Sequence, residues 1–498
     1  MSPVPLPTTS PATKSIALTT AVELAQVRAS AAATTFVNCH LVAPPCNVAE
    51  RKPIDVVVVL DKSGSMSGSK LHLCKQTVTF LSQQLQEADR VALVTYGSDV
   101  TTDLRLTKMT TEGKALLVDT VNAVHTDGMT NMSGGLMAGI DQLTYVENGD
   151  PPNPVRSILV LTDGQANQGV TTPDGLATLL QSMLPPTTSL HTFGYGSDHD
   201  AALLGQLADI GHGSYYFITN VDRVMLAFAD CLGGLLSVVA QNIKLECVAA
   251  PGVLLAAVKT KRPITTMVDQ VHVEVDIGDL YADETRDVLL QVQLTPVATA
   301  VDAAALVTFR LRYVNILESC AASASATATI DRPLVVSTNV VNEDVLLQKQ
   351  RVVVTDALEE ALAAAARGAF ENAKDVLRRV ETTLRTEATA IVSDAGQQKA
   401  AALVKSVADC AKGMASEREF AARGHGHMVQ QVQYHGHQRW NHVLEEEEEE
   451  CDLGGGDMFG GGGRNAMQVR MLQSALNAVG TSSTIDATSA NMFDDCDY

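Results

Sequence analysis

Between Ile54 and about Leu236, continuous apolar runs alternate with segments of helical period. A continuous apolar run is typical of a strand in a parallel sheet, because both faces of such a sheet are covered. The alternation predicts an α/β domain with a doubly wound, mostly parallel sheet. The predicted strands are Asp55–Leu60, Arg90–Tyr96, Val155–Leu161, Ser189–Tyr195 and Ser214–Thr219, with Thr101–Leu106 as an antiparallel edge strand, and the predicted helices are Lys70–Glu87, Thr111–Val124, Met132–Thr144, Pro173–Met183 and Ala201–Ile210.

The segments on either side of this α/β domain (residues 51–236) have a different pattern. Residues 237–341 alternate apolar and polar positions without a helical period, for example at residues 271–277 and 288–294. This alternation predicts a β-sandwich, in which each strand buries one face. Residues 15–50 also have a strand-like pattern. We predict that they supply N-terminal strands of the same sandwich, with the α/β domain inserted between its strands.

Residues 342–423 are rich in Ala, Glu, Arg, Lys and Leu, which predicts a C-terminal helical domain. The pattern suits two or three amphipathic helices at Val345–Arg367, Phe370–Thr389 and Ala395–Arg423. Gly368 separates the first two of them and predicts a break in the helix.

Residues 424–498 have a low-complexity composition, with a histidine-rich patch, a run of six glutamates at Glu445–Glu450 and two glycine clusters. This composition predicts a largely disordered tail with one helix near Met467–Val479. Residues 1–14, rich in Pro, Ser and Thr, are also predicted to be disordered. We expect the histidines of the patch to be solvated, with adventitious Zn²⁺ or Ni²⁺ binding as the alternative. These histidines are His425, His427, His435, His437 and His442.

The formal net charge of −21 limits the range of partners. Nucleic acid and anionic membranes attract basic patches, so an acidic chain predicts neither as a partner. The nine cysteines are scattered without a CxxC pair, which favours free thiols in a reducing compartment. The N-terminal sequence lacks the parts of a secretory signal, and no apolar run approaches the ~20 residues of a membrane helix. We therefore expect a cytoplasmic protein.

Two carboxylates and three hydroxyls lie at the ends of predicted strands or in a glycine-containing loop. Asp61, Ser63 and Ser65 form a turn directly after the first strand of the α/β domain. Thr130 lies in the loop, and Asp163 follows another strand. Ligands of open parallel sheets bind beyond the carboxyl ends of the strands, so we expect these side chains to meet there. Mg²⁺ takes oxygen ligands and retains several waters, so the sequence predicts a Mg²⁺ site at this edge.

The DxSxS turn, the loop threonine and the strand-ending TDG together resemble the metal-ion-dependent adhesion site of the von Willebrand factor A (vWA) family, whose domain has a Rossmann-like fold. The resemblance implies that the ion is Mg²⁺, with Mn²⁺ or Ca²⁺ as alternatives. It also implies that a protein partner presents an Asp or Glu to an open position of the ion. A purely structural ion is the alternative interpretation. The ligands implied by the resemblance are Asp61, Ser63, Ser65, Thr130 and Asp163.

Other polar residues near these motifs are interpreted as structural. Asp127 and Asn131 flank Thr130 and are typical turn residues. His199 and Asp200 lie where a helix is expected to start, and Asp is a favourable N-cap there. Capping and packing are therefore predicted at these two residues, rather than a second metal site or a hydrolytic site.

Several segments are similar to one branch of the vWA family: plant ubiquitin ligases that pair a RING finger with a vWA domain, and vWA proteins with a hedgehog/intein-like module. The segments are residues 53–57, 191–200, 231–239 and 278–288. A RING finger needs eight Cys or His zinc ligands in paired spacings. The N-terminal part of this chain offers only Cys39, His40 and Cys46, so the sequence predicts no intrinsic ligase activity.

These observations favour a protein that binds a partner through a Mg²⁺-dependent site, with the sandwich and helices as scaffold. A substrate-recruiting component in protein ubiquitination, working with a separate RING ligase, is the first alternative. Metal-assisted hydrolysis is the second, and it lacks support because the motif segments contain no histidine or glutamate to act as a general base. A blocking role for Glu445–Glu450, with one carboxylate in the open position of the ion, is a further hypothesis. The sequence indicates no particular oligomeric state.

Overall fold

The computed structural model describes residues 14–144, 150–163, 165–196, 199–218, 224–337, 340–439 and 464–490 of the 498-residue chain. In these residues the chain forms a mixed six-stranded sheet, two antiparallel sheets and a group of C-terminal helices. None of the helices described is long and apolar enough to span a membrane.

The first strands of the described residues are β1 (Ala17–Val22) and β2 (Ala33–Val42). The α/β domain follows with β3 (Ile54–Asp61), α1 (Ser69–Gln84), β4 (Arg90–Tyr96), β5 (Val100–Lys108), α2 (Thr111–Asn122), α3 (Met132–Thr144), β6 (Val155–Thr162), α4 (Pro173–Met183), β7 (Thr188–Tyr195), α5 (Ala201–Ile210), β8 (His212–Ile218) and α6 (Val224–Leu235). The remaining elements are β9 (Val238–Ala249), β10 (Val253–Lys259), β11 (Ile264–Val268), β12 (His272–Tyr281), β13 (Thr285–Leu294), β14 (Val301–Asn315), β15 (Cys320–Arg332), α7 (Glu343–Ala366), α8 (Phe370–Glu387), α9 (Asp394–Lys412), α10 (Glu417–Glu419), α11 (His425–His437) and α12 (Ala466–Ala490).

The central sheet has the strand order β5-β4-β3-β6-β7-β8, with β5 antiparallel and the other strands parallel. Alternate residues of β3 belong to two different cores. Val56 and Val58 pack with α1 and α6, whereas Val57 and Val59 pack with α3, α4 and α5. Both faces of the strand are therefore buried, which explains its continuous apolar run. The predicted doubly wound, mostly parallel sheet with an antiparallel edge strand is confirmed.

Two helices that lead into the neighbours of β3 lie on opposite faces of the sheet. α1 leads from β3 to β4 on one face, and α3 precedes β6 on the other. The carboxyl end of β3 is therefore the point where the winding direction reverses. In open α/β sheets the crevice that receives a ligand forms at this point.

The sandwich contains one sheet of order β1-β2-β13-β10 and a second of order β11-β12-β9-β14-β15. β2 pairs with β13 along its whole length, from Val42 opposite Thr285 to Ala33 opposite Leu294. The strands before and after the α/β domain thus build one sandwich with a shared apolar core. The α/β domain is inserted between β2 and β9.

The C-terminal helices α7, α8 and α9 pack around a common apolar core that contains Val354, Leu377 and Leu403. α7 gives way to α8 at Gly368, where φ is +76°, and this confirms the predicted break. An L side chain is strained in that left-handed conformation, so glycine suits the position.

The prediction of one helix over Ala395–Arg423 is wrong at its end. α9 stops at Lys412, and the chain turns before α10 and a π-helical turn at Phe420–Gly424. A Cβ atom at Gly424 would lie 2.3 Å from the carbonyl oxygen of Gly413. The two glycines allow the backbones to approach where a continuous helix would have kept them apart.

The prediction of a largely disordered tail from residue 424 is wrong for α11, which is docked against the α/β domain. Its glutamines and glycines resemble solvated low-complexity sequence, but most of them are buried, namely Gly426, Gln430, Gln433 and Gly436. Gln433 donates from Nε2 to the carbonyl of Gly205 and accepts at Oε1 from the backbone N–H of Tyr215, each at 2.9 Å. A Cβ at Gly426 would meet the ring of Phe217 at 2.8 Å, so the missing side chain permits the close approach.

The expectation of solvated histidines is also wrong within α11. His435 is 1% exposed and His437 is 8% exposed, because the C-terminal end of this helix lies between the α/β domain, the sandwich and α7. The helix predicted near Met467–Val479 is present as α12, which packs on α6. His442, the run Glu445–Glu450 and the glycine clusters lie outside the described residues, as do residues 1–13.

Candidate metal centre

The carboxylate of Asp61 is held at the carboxyl end of β3, and the residue is fully buried. Its Oδ1 accepts a hydrogen bond from the backbone N–H of Ser63 at 2.8 Å. Its Oδ2 accepts from the hydroxyl of Thr162 at 2.6 Å. Thr162 ends β6, the parallel neighbour of β3, so both the turn and the sheet fix this carboxylate.

Ser63 and Ser65 line the turn that follows Asp61, which closes as a short 3₁₀ helix at Gly64–Met66. Their Oγ atoms are 3.1 Å apart. The Ser65 hydroxyl also donates to Oδ1 of Asp163 at 2.8 Å. Asp163, 1% exposed, follows β6 directly, so the first and third sequence motifs meet at one edge of the sheet.

Thr130 lies in the loop before α3 and is 3% exposed. Its backbone N–H donates to Oδ1 of Asn167 at 2.7 Å, and its carbonyl accepts from the Asn167 N–H at 3.1 Å. The loop is joined to the Asp61 turn by the N–H of Gly64, which donates to the carbonyl of Gly128 at 3.1 Å. Gly128 has φ +54°, which permits the tight turn. The second motif therefore lies beside the first.

The electrostatics of the site favour a cation. Burial raises the pKa of the Asp61 carboxyl, and the nearby charge of Asp163 adds to the rise, whereas hydrogen bonds from Thr162 and Ser63 oppose it. A buried carboxylate with these neighbours gains from a positive charge close to its oxygens.

The donor chemistry fits a hard divalent ion such as Mg²⁺. Carboxylate and hydroxyl oxygens converge, and Mg²⁺ uses one or two carboxylates while it retains water ligands. Among the described residues no group of three or more His, Cys, Asp or Glu side chains is placed to hold a metal. A metal site at this edge therefore depends on its hydroxyl oxygens as well as on Asp61 and Asp163.

Three further residues contact the predicted ligands. Thr162 and Asn167 fix Asp61 and Thr130, as described above. Lys70, in the first turn of α1, places its ammonium against Oδ2 of Asp163. Sequence reasoning missed all three, although a lysine in the first turn of a helix is a recognisable signal, because the helix dipole disfavours positive charge there.

The neighbouring polar residues have structural roles. Asn131 Oδ1 accepts from the hydroxyl of Ser133 at 3.2 Å and from the N–H of Gly134 at 3.0 Å, at the start of α3. Asp200 caps α5 by accepting from the N–H of Leu203 at 2.9 Å, so the predicted capping is confirmed. His199 packs in the domain, with Nε2 2.6 Å from the hydroxyl of Tyr215.

Comparison with known proteins agrees with this fold. Residues 55–227 match the von Willebrand factor type A domain, and the chain therefore contains a vWA domain inserted in a β-sandwich. The chain is 26% identical over 289 residues to the uncharacterised protein YfbK of Escherichia coli. The matched region covers 56% of this chain and 47% of YfbK. It is 30% identical over 254 residues to the E3 ubiquitin-protein ligase WAV3 of Arabidopsis thaliana. This matched region covers 50% of this chain and 32% of WAV3. The chain thus spans less than half the length of these two relatives.

Two solved structures share the fold over most of the chain. A von Willebrand factor type A protein from Catenulispora acidiphila superposes with a TM-score of 0.58 at 16% identity, covering 80% of this chain and 88% of that chain. The ArnB paralog VWA2 from Sulfolobus acidocaldarius superposes with a TM-score of 0.54 at 14% identity, covering 84% and 98%. The likeness extends well beyond residues 55–227, so the additional sheets and helices belong to a shared architecture.

Proposed function

We propose that this chain is a protein-binding module whose vWA domain uses Mg²⁺ to recognise an acidic side chain of a partner. The observation that carries the proposal is the convergence of two carboxylates and the hydroxyls of Ser63 and Ser65 at the carboxyl edge of the sheet. The proposed ligands are Asp61, Ser63, Ser65, Thr130 and Asp163.

The chemistry of these ligands suits recognition of an acidic group. The hydroxyls are neutral, so only Asp61 and Asp163 reduce the charge of a bound ion. Bound there, Mg²⁺ would supply an electrophilic centre that takes a carboxylate oxygen. This local positive charge offsets the acidic character of the whole chain, which otherwise repels an acidic partner.

The exposure pattern gives the direction of approach. Asp61 and Asp163 are buried, whereas Gly64, Ser65 and Met129 above them are exposed, with Met129 at 48%. A partner therefore reaches the ion from the side of the Ser65 turn and the Thr130 loop, and its carboxylate does not meet the two aspartates directly.

Affinity capture from a lysate of the source cells tests the proposal. Wild type, Thr130→Ala and the matched control Thr126→Ala, in the same loop, are compared with Mg²⁺ and with EDTA. Partners bound by wild type and Thr126→Ala in Mg²⁺, and lost with EDTA or Thr130→Ala, support metal-dependent recognition. A partner set that is the same under all conditions would assign the binding to another surface.

A second candidate function is substrate recruitment in ubiquitination. The observation that favours it is the similarity to two Arabidopsis thaliana proteins named as E3 ubiquitin-protein ligases, WAV3 and WAVH1, the latter 25% identical over 280 residues. The residues considered for a RING are engaged in the sandwich: Cys39 is buried in β2, and His40 Nδ1 lies 2.9 Å from Asp287.

Reconstituted ubiquitination separates the two candidates. The chain is incubated with activating and conjugating enzymes, with and without an added RING protein, and ubiquitin conjugates are followed on gels. Recruitment predicts conjugates on a captured partner only when both the RING protein and this chain are present. Conjugates that are independent of this chain would reject the ubiquitination role and leave the binding role intact.

A further inference from the structure

The two carboxylates of the candidate site have different partners. Asp61 accepts from two neutral donors, the N–H of Ser63 and the hydroxyl of Thr162. Asp163 accepts from the hydroxyl of Ser65 and also contacts the ammonium of Lys70. Only one of the two buried carboxylates therefore receives a full positive charge from the described residues that contact it.

The position of Lys70 is unfavourable by the rules of an isolated helix. It lies in the first turn of α1, which contains no acidic residue, and the positive end of the helix dipole is there. Residues that depart from the local preferences of a helix are expected at functional or strained sites, where a tertiary contact compensates for the departure. The contact with Asp163, whose carboxylate is 0% exposed, is that explanation.

The contact also lies within reach of solvent. The side chain of Lys70 is 27% exposed, although Asp163 is buried. Lys70 can therefore withdraw its ammonium from the carboxylate and remain hydrated, because a lysine has a long flexible stem. The Ser65 hydroxyl, on the other oxygen of Asp163, is itself a proposed ligand.

We propose that Lys70 is an internal counter-cation that competes with the divalent ion for Asp163 and so sets the affinity of the site for Mg²⁺. This inference rests on the proposed metal site. The carboxylate of Asp163 would balance the charge of either the ammonium or the ion, because two positive charges held beside one carboxylate repel each other. Lys70 thereby keeps the ligands assembled without an ion and makes ion binding weaker and reversible.

Calorimetric titration of the full chain with Mg²⁺, after EDTA treatment, tests the inference. Lys70→Gln is compared with wild type, with Lys70→Arg and with Lys75→Gln. Lys75 is the matched control, because it lies on the same helix and carries the same charge but donates to the carbonyl of Asn122. We expect Lys70→Gln to lower the dissociation constant for Mg²⁺ by about tenfold or more, the scale of a nearby charge. Lys70→Arg and Lys75→Gln should stay within about twofold of wild type.

A second readout protects the test against a variant that is merely unstable. In EDTA we expect Lys70→Gln to melt below wild type, since Asp163 loses its counter-charge, and its melting temperature should rise more on addition of Mg²⁺. Equal affinities in wild type and Lys70→Gln would overturn the role of Lys70 and leave the metal site standing. If none of the variants binds Mg²⁺, both the metal site and this inference fail.

Discussion

At the scale of single residues, the candidate site divides into a predictable part and an unpredictable part. Asp61 and Asp163 were predictable, because each follows a strand that is recognisable from its apolar run. Thr162 also ends such a strand, yet its bond to Asp61 depends on which strand lies next to β3. Asn167 and Lys70 depend on the paths of a loop and of a long side chain, which the local pattern of a sequence does not contain.

The bond between Thr162 and Asp61 gives the first prediction. Thr162→Val should lower the free energy of unfolding in EDTA by about 2 kcal/mol, since it removes a donor from a buried carboxylate. Thr192→Val is the control, because this buried threonine donates to the neutral carbonyl of Leu204 at 2.9 Å. Thr192→Val should lower the free energy of unfolding by about 1 kcal/mol. Urea denaturation measures both, and an equal loss in the two variants would contradict the charged character of the first bond.

At the scale of elements, the periodicity of the sequence predicted those helices and strands that are held in place by burial of apolar side chains. β3 is covered on both faces, and its sequence shows this directly. α11 was missed because glutamine, histidine and glycine make up much of its docking face, beside the apolar Met428 and Val429. Gln433 satisfies backbone groups of Gly205 and Tyr215, a role that composition cannot reveal. Low complexity is thus a weak argument for disorder when the small and amide side chains have specific partners.

The burial of His435 predicts how α11 responds to acid. Burial, with the nearby charge of Arg351, lowers the pKa of His435 to about 3. The unfolded chain takes up the proton first, near pH 6.5, so the stability from this residue is complete above that pH and is lost as the pH falls towards 3.

His435→Gln should therefore reduce the slope of the free energy of unfolding against pH, between about pH 6.5 and 4, by up to about 1.4 kcal/mol per pH unit. This is the contribution of one proton that only the unfolded chain binds. His72→Gln, at an exposed position, is the control for the loss of a histidine, and the slope of His435→Gln is compared with it. Urea denaturation at a series of pH values measures the slope. If His435→Gln has the same slope as wild type, burial does not lower the pKa of His435 in the folded protein.

At the scale of the whole molecule, the inserted domain, the sandwich and α11 meet at a buried ion cluster, defined by Glu284, Arg286 and Arg439. Arg439 Nε donates to Glu284 at 2.9 Å, and Arg286 donates to the same carboxylate at 2.9 Å. Arg439 also reaches the carbonyl of His212 in the vWA domain at 3.4 Å and lies 4.0 Å from the ring centre of Tyr281.

The charges of this cluster outweigh the effect of burial. Burial alone raises the pKa of Glu284, but Arg286 and Arg439 lower it to about 2. The insertion of the vWA domain in the sandwich was predictable from the change of pattern along the chain. The ion cluster was not, because Arg439 and Glu284 are 155 residues apart and Arg439 follows a segment that reads as disordered.

Removal of Arg439 tests the role of this cluster. Arg439→Ala should lower the free energy of unfolding by about 3–5 kcal/mol, because a buried carboxylate loses one of its two cationic partners. Arg378→Ala removes an exposed arginine, paired with Asp375 on α8, and should change it by no more than about 0.5 kcal/mol. Urea denaturation compares the two variants. If Arg439→Ala is as stable as Arg378→Ala, the cluster does not hold the inserted domain, the sandwich and α11 together.

The most direct test of the metal site is the amount of Mg²⁺ bound per chain, measured by equilibrium dialysis and atomic absorption. Wild type is compared with Asp163→Asn, Ser65→Ala and Ser67→Ala, an exposed serine next to the same turn. We predict one ion per chain for wild type and Ser67→Ala, affinity weakened by about tenfold or more in Ser65→Ala, and no binding in Asp163→Asn. A wild-type chain that binds no Mg²⁺, or variants that bind it as well as wild type, would contradict the assignment of the metal site.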